Sequence, residues 1–338
     1  MTPPVRIAVL GAADFARRRM LPAFAAREDV VLAAIASRDP DKARALAGAH
    51  RCRALHGYAA ALEDDDVEAV YVPLPAALHA RWVRAALLAG KHVLAEKPLA
   101  TTAGETAELL DLARSRGLAL VENVLFPHHS QHARARELVT SGAIGELRSF
   151  RAEFTVPRRA EDDIRYRADL GGGALSDTGV YPVRAALLAL GDDLRVAGAV
   201  AVRDARLGVD TGGTALLHTP EGVSAQLAFG LDDAYRNTYA YAGTEGRLTV
   251  GRAFTPPADH APVLRLERGG EVTEVRLAAE DQVARAVGAF AHAVRTGGMP
   301  DPDVLRQAVL LEDIAARAAV AAKPGPEENE LKDFRHVE

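Results

Sequence analysis

Cysteine is scarce in this sequence of 338 residues, and both an excess of positive charge and long apolar runs are absent. The single cysteine, Cys52, excludes an intrachain disulfide and is typical of a reducing cytoplasm. A net charge of -5 provides no basic surface for nucleic acid or for an anionic membrane. No apolar run is long enough to cross a bilayer, and the first residues lack the features of an export signal. We therefore expect a cytoplasmic protein with neither nucleic acid nor a membrane as a partner.

Aromatic residues are also few, at 5%, whereas hydrophobic residues make up 49% of the chain. The cores should therefore be built mainly from aliphatic side chains. A chain of this length can bury two separate cores. The change in pattern along the chain predicts a nucleotide-binding domain over residues 1–125 and a substrate and oligomerisation domain over residues 126–322. A polar tail, residues 323–338, is expected to fray.

Short apolar strands alternate with helical segments through the first 122 residues. The predicted strands span residues 5–10, 30–36, 67–73, 92–95 and 118–122. Helices are predicted up to residue 27 and over residues 41–49, 78–89 and 102–117. Strands and helices that alternate in this way form βαβ units and a parallel sheet. The predicted fold class of this half is α/β, a doubly wound Rossmann domain.

The rhythm changes after residue 142. A strand over residues 146–156 is followed by a glycine-rich turn and a helix over residues 174–190. Residues 194–277 contain consecutive strands joined by short turns, which indicates an α+β domain with a mostly antiparallel, open sheet. Helices over residues 282–295 and 303–321 close the chain and are free to pack back on the first domain.

The turn after the first strand approximates a dinucleotide-binding fingerprint. Gly11 supplies the tight turn, while Ala13 and Ala16 stand at the second and third glycine positions. Alanine still permits close approach, so a pyrophosphate can lie on the helix N-terminus that Ala12, Asp14 and Phe15 help to form. The alternative is a glycine turn without a ligand.

The end of the second strand selects the cofactor. An NAD site needs a carboxylate there for the ribose hydroxyls, whereas NADP is accepted where an arginine meets the 2′-phosphate. This strand ends in Ser37 and Arg38, and Asp39 follows as a cap for the next helix. Since a guanidinium suits a phosphate, we expect NADP(H) rather than NAD.

A lysine follows the fourth strand in Glu96-Lys97-Pro98, where ligands of a parallel sheet bind. Asp177 and Tyr181 share one face if their segment is helical. These three groups, Lys97, Asp177 and Tyr181, could converge between the domains. Reduction of a ketone requires a proton, which a tyrosine can donate when a nearby cation favours its ionised form. The alternative is a Tyr–Asp pair that serves packing.

Three further features carry possible site residues. His79 ends a loop that begins with Leu74 and Pro75 and that could cover a nicotinamide; the alternative is a histidine that only starts a helix. Arg165 belongs to an arginine-containing loop suited to phosphate, or simply to a solvated one. His128, His129 and His132 have no cysteine or clear carboxylate beside them, so we expect no metal.

These segments resemble the glucose-fructose oxidoreductase / inositol dehydrogenase / MocA-type (Gfo/Idh/MocA) family of NAD(P)-dependent oxidoreductases over residues 4–322. The resemblance is carried by the Gly11 turn, the loop 74–79, Glu96-Lys97-Pro98 and residues 171–181. In that family the lysine of the Glu-Lys-Pro motif contacts nicotinamide and substrate. Tyr181, where many members have histidine, is similar to the sugar-reducing branch.

Residues 70–75, 126–132, 163–166 and 254–257 are similar to segments of dTDP-3-keto-6-deoxyhexose 3-ketoreductases of deoxysugar and antibiotic biosynthesis. The resemblance implies that NADPH gives hydride to the C3 ketone of a dTDP-linked sugar. It further implies that Tyr181 donates the proton, that Lys97 assists, and that Arg165 lies near the cofactor or the diphosphate. It also implies a homo-oligomer, a dimer or a tetramer.

Other functions remain open at this point. The same residues would serve an NAD(P)-dependent dehydrogenase of free sugars, polyols or dihydrodiols. A hydrolase that keeps NAD bound and a non-catalytic cofactor sensor are two further alternatives. The sequence does not identify the sugar, the C3 configuration or the face of the nicotinamide that is used.

Overall fold

The computed structural model describes residues 3–322 of the chain. Six parallel strands form the first sheet, in the order β3-β2-β1-β4-β5-β6. They are β1 (Val5–Leu10), β2 (Val30–Ser37), β3 (Arg53–His56), β4 (Ala69–Val72), β5 (His92–Ala95) and β6 (Leu120–Glu122). Because the order reverses between β1 and β4, the crossover helices lie on both faces of the sheet. The predicted doubly wound α/β half is confirmed.

The apolar sequences of the central strands explain why helices cover both faces of the first sheet. All four residues of β4 are buried, as are three of the four in β5, which is typical of parallel strands covered on both faces. The helices of this half are α1 (Leu21–Ala25), α2 (Pro40–His50), α3 (Ala59–Leu62), α4 (His79–Leu88) and α5 (Ala103–Arg116). Asp39 caps α2 by accepting hydrogen bonds from the amides of Asp41 and Lys42, as the sequence predicts.

Nine strands form the second sheet, in the order β14-β13-β12-β11-β7-β10-β9-β8-β15. They are β7 (Leu147–Thr155), β8 (Arg195–Asp204), β9 (Val209–His218), β10 (Ser224–Gly230), β11 (Arg236–Gly243), β12 (Gly246–Gly251), β13 (Val263–Arg268), β14 (Glu271–Arg276) and β15 (Ala318–Ala322). Among the described strands of this second sheet, only the pairs β7–β10 and β8–β15 are parallel. The predicted mostly antiparallel sheet of an α+β half is therefore confirmed.

Four α-helices follow β6 within the described residues: α6 (Ser130–Thr140), α7 (Val180–Leu190), α8 (Gln282–Thr296) and α9 (Asp303–Arg317). Helix α8 returns to the first sheet, where Val287 and Phe290 pack in one apolar cluster with Val5 and Ile7. Helix α9 contacts both α5 and α7. The chain changes sheets between β6 and β7, while the boundary at residue 125 stays a prediction.

The last helix and one edge strand differ from the sequence-based expectation. A helix was expected to continue to residue 321, but α9 ends at Arg317 and Ala318–Ala322 form β15 beside β8. Alanine favours helix, yet hydrogen bonding to the free edge of β8 overrides that preference here. Strand β3 was not predicted because its four residues, at the other sheet's edge, lack a buried apolar pattern. The expectation for residues 323–338 falls outside the described residues.

Candidate active site

A cleft of about 400 Å³ lies between the two halves of the molecule, at the carboxyl ends of the parallel strands. Nine of the residues predicted for the site line it: Ala13, Phe15, Leu74, Pro75, Glu96, Lys97, Arg165, Asp177 and Tyr181. They come from the first βα turn, the loop after β4, the end of β5 and the segment before α7. The fold thus brings together groups that lie as far as 168 positions apart in the chain.

Gly11 makes the tight turn at the cofactor end of the cleft. Its backbone has φ +126°, and a Cβ placed there would lie 3.1 Å from Cδ2 of Leu74. Its amide donates to the carbonyl of Ala36 at 2.8 Å, which joins the turn to β2. Ala12 is exposed, and Asp14 forms ion pairs with arginines of the following turn. A side chain at position 11 would therefore close the approach to this turn.

Ser37 ends β2 and Arg38 follows it, and neither residue lines the cleft itself. Ser37 is buried, and its Oγ accepts a hydrogen bond from the amide of Asp39 at 3.1 Å. Arg38 is exposed. The serine therefore shapes the turn, whereas the guanidinium is accessible to a ligand that extends beyond the cleft.

Lys97 is the cation at the centre of the cleft, and the peptide bond between it and Pro98 is cis. Its Nζ donates to the carbonyl and to Oδ1 of Asp177, both at 2.6 Å. Oδ2 of Asp177 accepts from Nε of Arg165 at 2.7 Å. One carboxylate is thus shared by two cations and holds the ammonium in place.

Charge pairing sets the ionisation of this group of three. Burial by itself would raise the pKa of Asp177, but the charges of Lys97 and Arg165 lower that pKa to about 2. Burial opposes the charged form of Lys97, yet the carboxylate of Asp177 leaves its pKa above the ordinary value. Asp177 is therefore an anion and Lys97 a cation at neutral pH, so neither is poised to act as the acid.

Tyr181 lies at the start of α7, and a π-helical turn, Leu175–Gly179, precedes it. Its ring packs edge-on against Phe154, with centroids 4.7 Å apart, and Nζ of Lys97 lies 5.2 Å from its centroid. Burial raises the pKa of the phenol, and the Lys97 charge partly offsets that rise. The phenol is therefore protonated at neutral pH beside a cation that would stabilise its anion.

One carboxylate oxygen of Glu96 accepts hydrogen bonds from protein side chains at the wall of the cleft. Its Oε1 accepts from the hydroxyl of Tyr71 at 2.6 Å and from Nδ2 of Asn123 at 2.7 Å. Burial raises the pKa of this carboxyl. Oδ1 of Asn123 is buried without a hydrogen-bond partner in the described part of the chain. Asn123 thus offers an unused acceptor at the wall of the cleft.

His79 is buried and does not line the cleft. Its Nδ1 lies 2.7 Å from the carbonyl of Pro98 and its Nε2 lies 2.7 Å from that of Leu74. Burial lowers the pKa of this imidazole. The ring therefore joins the loop after β4 to the segment after Lys97, and direct contact with the cofactor stays a prediction.

Several cleft residues were missed by the sequence reasoning, among them Asn123, Tyr235 and Thr255. Asn123 directly follows β6, so its place at the carboxyl end of a parallel strand could have been inferred. Tyr235 and Thr255 come from loops of the second sheet. Thr255 belongs to residues 254–257, which carry part of the resemblance. Local sequence gives no signal for Tyr235, because only the packing of the two halves brings it to the cleft.

Among the histidines of residues 128–132, His132 packs against Phe126 and Tyr239, and His129 caps α6 by accepting a hydrogen bond from the amide of Gln131. Nδ1 of His132 lies 2.9 Å from the hydroxyl of Tyr239, and burial lowers the pKa of His132 to about 3. Within residues 3–322, no group of three or more histidine, cysteine, aspartate or glutamate side chains is placed to hold a metal ion. In the same range, no helix is long and apolar enough to cross a membrane.

Comparison with known proteins agrees with the fold. The model of the family described as "Oxidoreductase family, NAD-binding Rossmann fold" matches residues 5–124, and that of the "GFO/IDH/MocA C-terminal domain" matches residues 132–249. A dTDP-3,4-didehydro-2,6-dideoxy-alpha-D-glucose 3-reductase of Streptomyces violaceoruber is 58% identical over 295 residues, 87% of this chain and 86% of that protein. A D-xylose 1-dehydrogenase (NADP(+)) of Haloferax volcanii is 40% identical, over 87% and 90% of the two chains.

A solved structure is similar over almost the whole chain. It is a 3-ketoreductase from Actinomadura kijaniata in complex with NADP and TDP-benzene, 49% identical with a TM-score of 0.93, covering 95% of this chain and 100% of that one. Structures of a tyrosine-to-phenylalanine variant and a lysine-to-alanine variant of that enzyme are similar as well. The two family matches and these identities show that the chain belongs to the Gfo/Idh/MocA family of oxidoreductases.

Proposed function

We propose that this protein is an NADPH-dependent 3-ketoreductase, which reduces the C3 ketone of a dTDP-linked 3-keto-6-deoxyhexose. The observation that carries the proposal is the match to a 3-ketoreductase structure with NADP and TDP-benzene, at a TM-score of 0.93. Tyr181 and Lys97 in the cleft add support, because variants of that enzyme that have been studied alter a tyrosine and a lysine. Location in the cytoplasm and a role in deoxysugar and antibiotic biosynthesis belong to the same proposal.

The residues present fit NADP(H). Gly11 leaves room where a Cβ would touch Leu74, so a pyrophosphate can approach the turn and the helix start beyond it. Arg38, exposed at the end of β2, suits a 2′-phosphate. The unpartnered Oδ1 of Asn123 suits an amide donor such as a carboxamide. When bound, NADPH supplies the hydride.

Tyr181 is the proposed proton donor. As the ketone is reduced, its oxygen gains charge, and the protonated phenol can donate to it. Lys97, 5.2 Å from the ring centroid, stabilises the resulting phenolate. Asp177 accepts from Lys97 and Arg165, so we assign it the role of holding the lysine rather than moving a proton.

The substrate end of the cleft is lined by Arg159, Tyr235 and Thr255. Arg165 already pairs with Asp177 and Asp163, so its charge is largely used within the protein. The Arg159 side chain reaches the same cleft and suits a diphosphate. We therefore propose that Arg159 provides the charge that binds the diphosphate, and that Arg165 lies near it in the same cleft.

The test is a direct assay. The purified protein is mixed with NADPH and a dTDP-3-keto-6-deoxyhexose that upstream enzymes make in situ. The first substrate to be tested is of the class named for the Streptomyces relative. NADPH consumption together with a sugar nucleotide heavier by two hydrogens is the expected result. NADPH that binds and is not consumed would contradict the proposal.

A dehydrogenase of free sugars is the second candidate, because the D-xylose 1-dehydrogenase relative is 40% identical to this chain. It would use the same lysine and tyrosine in the oxidative direction. Turnover of free sugars or polyols with NADP⁺, without any effect of a dTDP group, would favour this function over the first.

We also propose a homo-oligomer, a dimer or a tetramer. The exposed face of the second sheet supports this, since Val200 and Leu216 are 43% and 46% exposed on neighbouring strands. An open apolar sheet face of this kind is typical of an interaction surface.

A further inference from the structure

The segment that carries Lys97 is held on both sides by neighbouring residues of one strand end. Asn123 Nδ2 donates to Glu96 at 2.7 Å on one side of Lys97. Glu122 Oε1 accepts from the backbone amide of Leu99 at 2.8 Å on the other side. Since Glu122 ends β6 and Asn123 follows it, the last residues of this strand fix the path of the lysine segment.

Glu122 is also bonded to the helix that carries Tyr181. Its Oε2 accepts from Nη2 of Arg184 at 3.0 Å, and Arg184 lies three residues after Tyr181 on α7. Gln307 of α9 belongs to the same group: its Oε1 accepts from Nε of Arg184 at 2.8 Å, and its Nε2 donates to Glu122 at 3.0 Å. Nη1 of Arg184 also donates to the exposed carboxylate of Asp301 at 2.9 Å. The Arg184 and Glu122 side chains are only 4% and 1% exposed.

We propose that Arg184 is a positioning residue, which through Glu122 sets the position of Lys97 relative to Tyr181. The proposal rests on the proposed function, because it assigns Arg184 a part in the proton transfer from Tyr181. The Glu122–Arg184 pair by itself connects the segment of Lys97 to the helix of Tyr181. Glu122 accepts from Leu99, two residues after Lys97, and Arg184 lies on α7. Neither side chain lines the cleft that holds Tyr181.

Stability alone gives no strong reason for a buried ion pair at this place. Two charges lose their hydration on burial, so apolar residues of similar volume are often equally stabilising. A fixed geometry is the property that such a pair supplies here. Proton transfer depends steeply on position, and a misplacement of about 1 Å can cost about 10²-fold in rate.

The main test is the double variant Glu122→Met/Arg184→Met. It removes both charges together, leaves no uncompensated buried charge, and deletes the bonds to Leu99 and between the two segments. We expect kcat to fall at least about tenfold, with the Kd for NADPH and the KM for the sugar nucleotide unchanged. Arg306→Gln is the matched control: Arg306 joins α9 to the carbonyl of Leu194 without touching Glu122, and its kcat should stay at the wild-type value.

Two readouts separate positioning from a merely structural role. In a crystal structure of the double variant, Nζ of Lys97 should move from its 2.6 Å contact with Oδ1 of Asp177. The alkaline limb of the pH profile of kcat should shift as well, because the Lys97 charge acts on the Tyr181 phenol. The single variant Arg184→Lys keeps a cation next to Glu122, so its kcat should lie between the values of the double variant and the wild type.

A folded double variant with wild-type kcat would overturn the proposal. Reduced kcat with unchanged lysine geometry and an unchanged pH profile would also overturn it. If the double variant does not fold, Gln307→Leu tests the same group, with a smaller loss of kcat expected and wild-type kcat as the contrary result. A wild-type protein that reduces no sugar nucleotide would contradict the proposed function alone, since the crystallographic readout still tests the positioning of Lys97.

Discussion

At the scale of single residues, the site separates the group that transfers a proton from the groups that only carry charge. Three charges, those of Lys97, Asp177 and Arg165, neutralise each other in part through two hydrogen-bonded pairs. The Tyr181 phenol beside them is neutral and protonated, because burial raises its pKa. The environment thus assigns the role of acid to the tyrosine, while the aspartate that the sequence also placed in the catalytic set holds the lysine.

Removal of the phenol hydroxyl should abolish turnover while the fold is kept. We expect Tyr181→Phe to lower kcat by about 10²–10⁴-fold, the usual contribution of general acid catalysis, and Lys97→Ala to act in the same direction. NADPH binding, measured by fluorescence titration, should be largely retained in Tyr181→Phe. Tyr241→Phe, which alters another buried tyrosine of the second sheet, is the control. Normal turnover in Tyr181→Phe would mean that another group is the acid.

The charge of Asp177 should contribute to stability in a defined pH range. Its pKa is about 2 in the folded state and 3.8 ordinarily, so this contribution is complete above pH 3.8 and is lost as the pH falls towards 2. Linkage makes it about 2 kcal/mol at neutral pH. Asp177→Asn should therefore lower the free energy of unfolding in urea by at least about this amount, because two cations then face each other.

The pH dependence provides the check on that prediction. The difference between wild type and Asp177→Asn should stay constant from pH 7 to pH 5, since neither protein titrates at this position there. A difference that shrinks over this interval would mean that burial, and not the two cations, dominates the pKa. Asp169→Asn breaks an exposed pair with Arg167 and should change stability little.

At the scale of elements, the cleft depends on turns that leave no room for larger side chains. Residues 171–173 connect the Arg165 loop to the turn before α7. A Cβ at Gly172 would lie 2.5 Å from the carbonyl oxygen of Arg165 and 2.8 Å from that of Arg167. Both are backbone atoms, so the loop itself would have to move. The position of Arg165 against Asp177 therefore depends on this glycine.

Gly172→Ala tests the close approach. We expect a loss of about 1–3 kcal/mol in the free energy of unfolding, as in other overpacked sites, together with a lower kcat. Gly48→Ala is the matched control, because a Cβ there meets nothing within 4 Å. That change lies inside helix α2 and should stabilise the protein by up to about 1 kcal/mol. Equal stability of the two variants in urea would contradict the close approach at Gly172.

At the scale of the whole molecule, the two sheets are joined by returning helices as well as by the crossing chain. Helix α8 covers one face of the first sheet, and α9 lies against both α5 and α7. The cleft is therefore formed by halves whose contact involves the last helices of the chain. The second sheet keeps one face exposed, and the proposed oligomer uses that face.

A charge on the open sheet face should weaken the oligomer. Leu216 is 46% exposed on β9, and we expect Leu216→Glu to shift the protein towards the monomer in sedimentation or light-scattering measurements. Leu88→Glu, at a residue 52% exposed on helix α4 of the first half, is the control and should leave the mass unchanged. A wild-type monomer at high concentration would contradict the proposed oligomer.

The sequence by itself determined the fold class and most of the chemistry. Strand and helix periods are local properties, so the alternation up to residue 122 predicts the Rossmann half. Strand ends likewise mark Lys97, because ligands bind at the carboxyl ends of parallel strands. The strand at residues 318–322 could not be predicted in this way, since an alanine-rich segment takes the conformation that a free sheet edge offers.

Only the tertiary structure decided how the site residues act on one another. Lys97 and Asp177 are 80 positions apart, and their 2.6 Å contact exists because the two halves of the molecule meet at the cleft. The packing of the two halves also determines three other features: the ionisation of Asp177, the place of Asn123 in the cleft and the bond between Glu122 and Arg184. Burial and distance are properties of the packed chain, and local sequence patterns do not encode them.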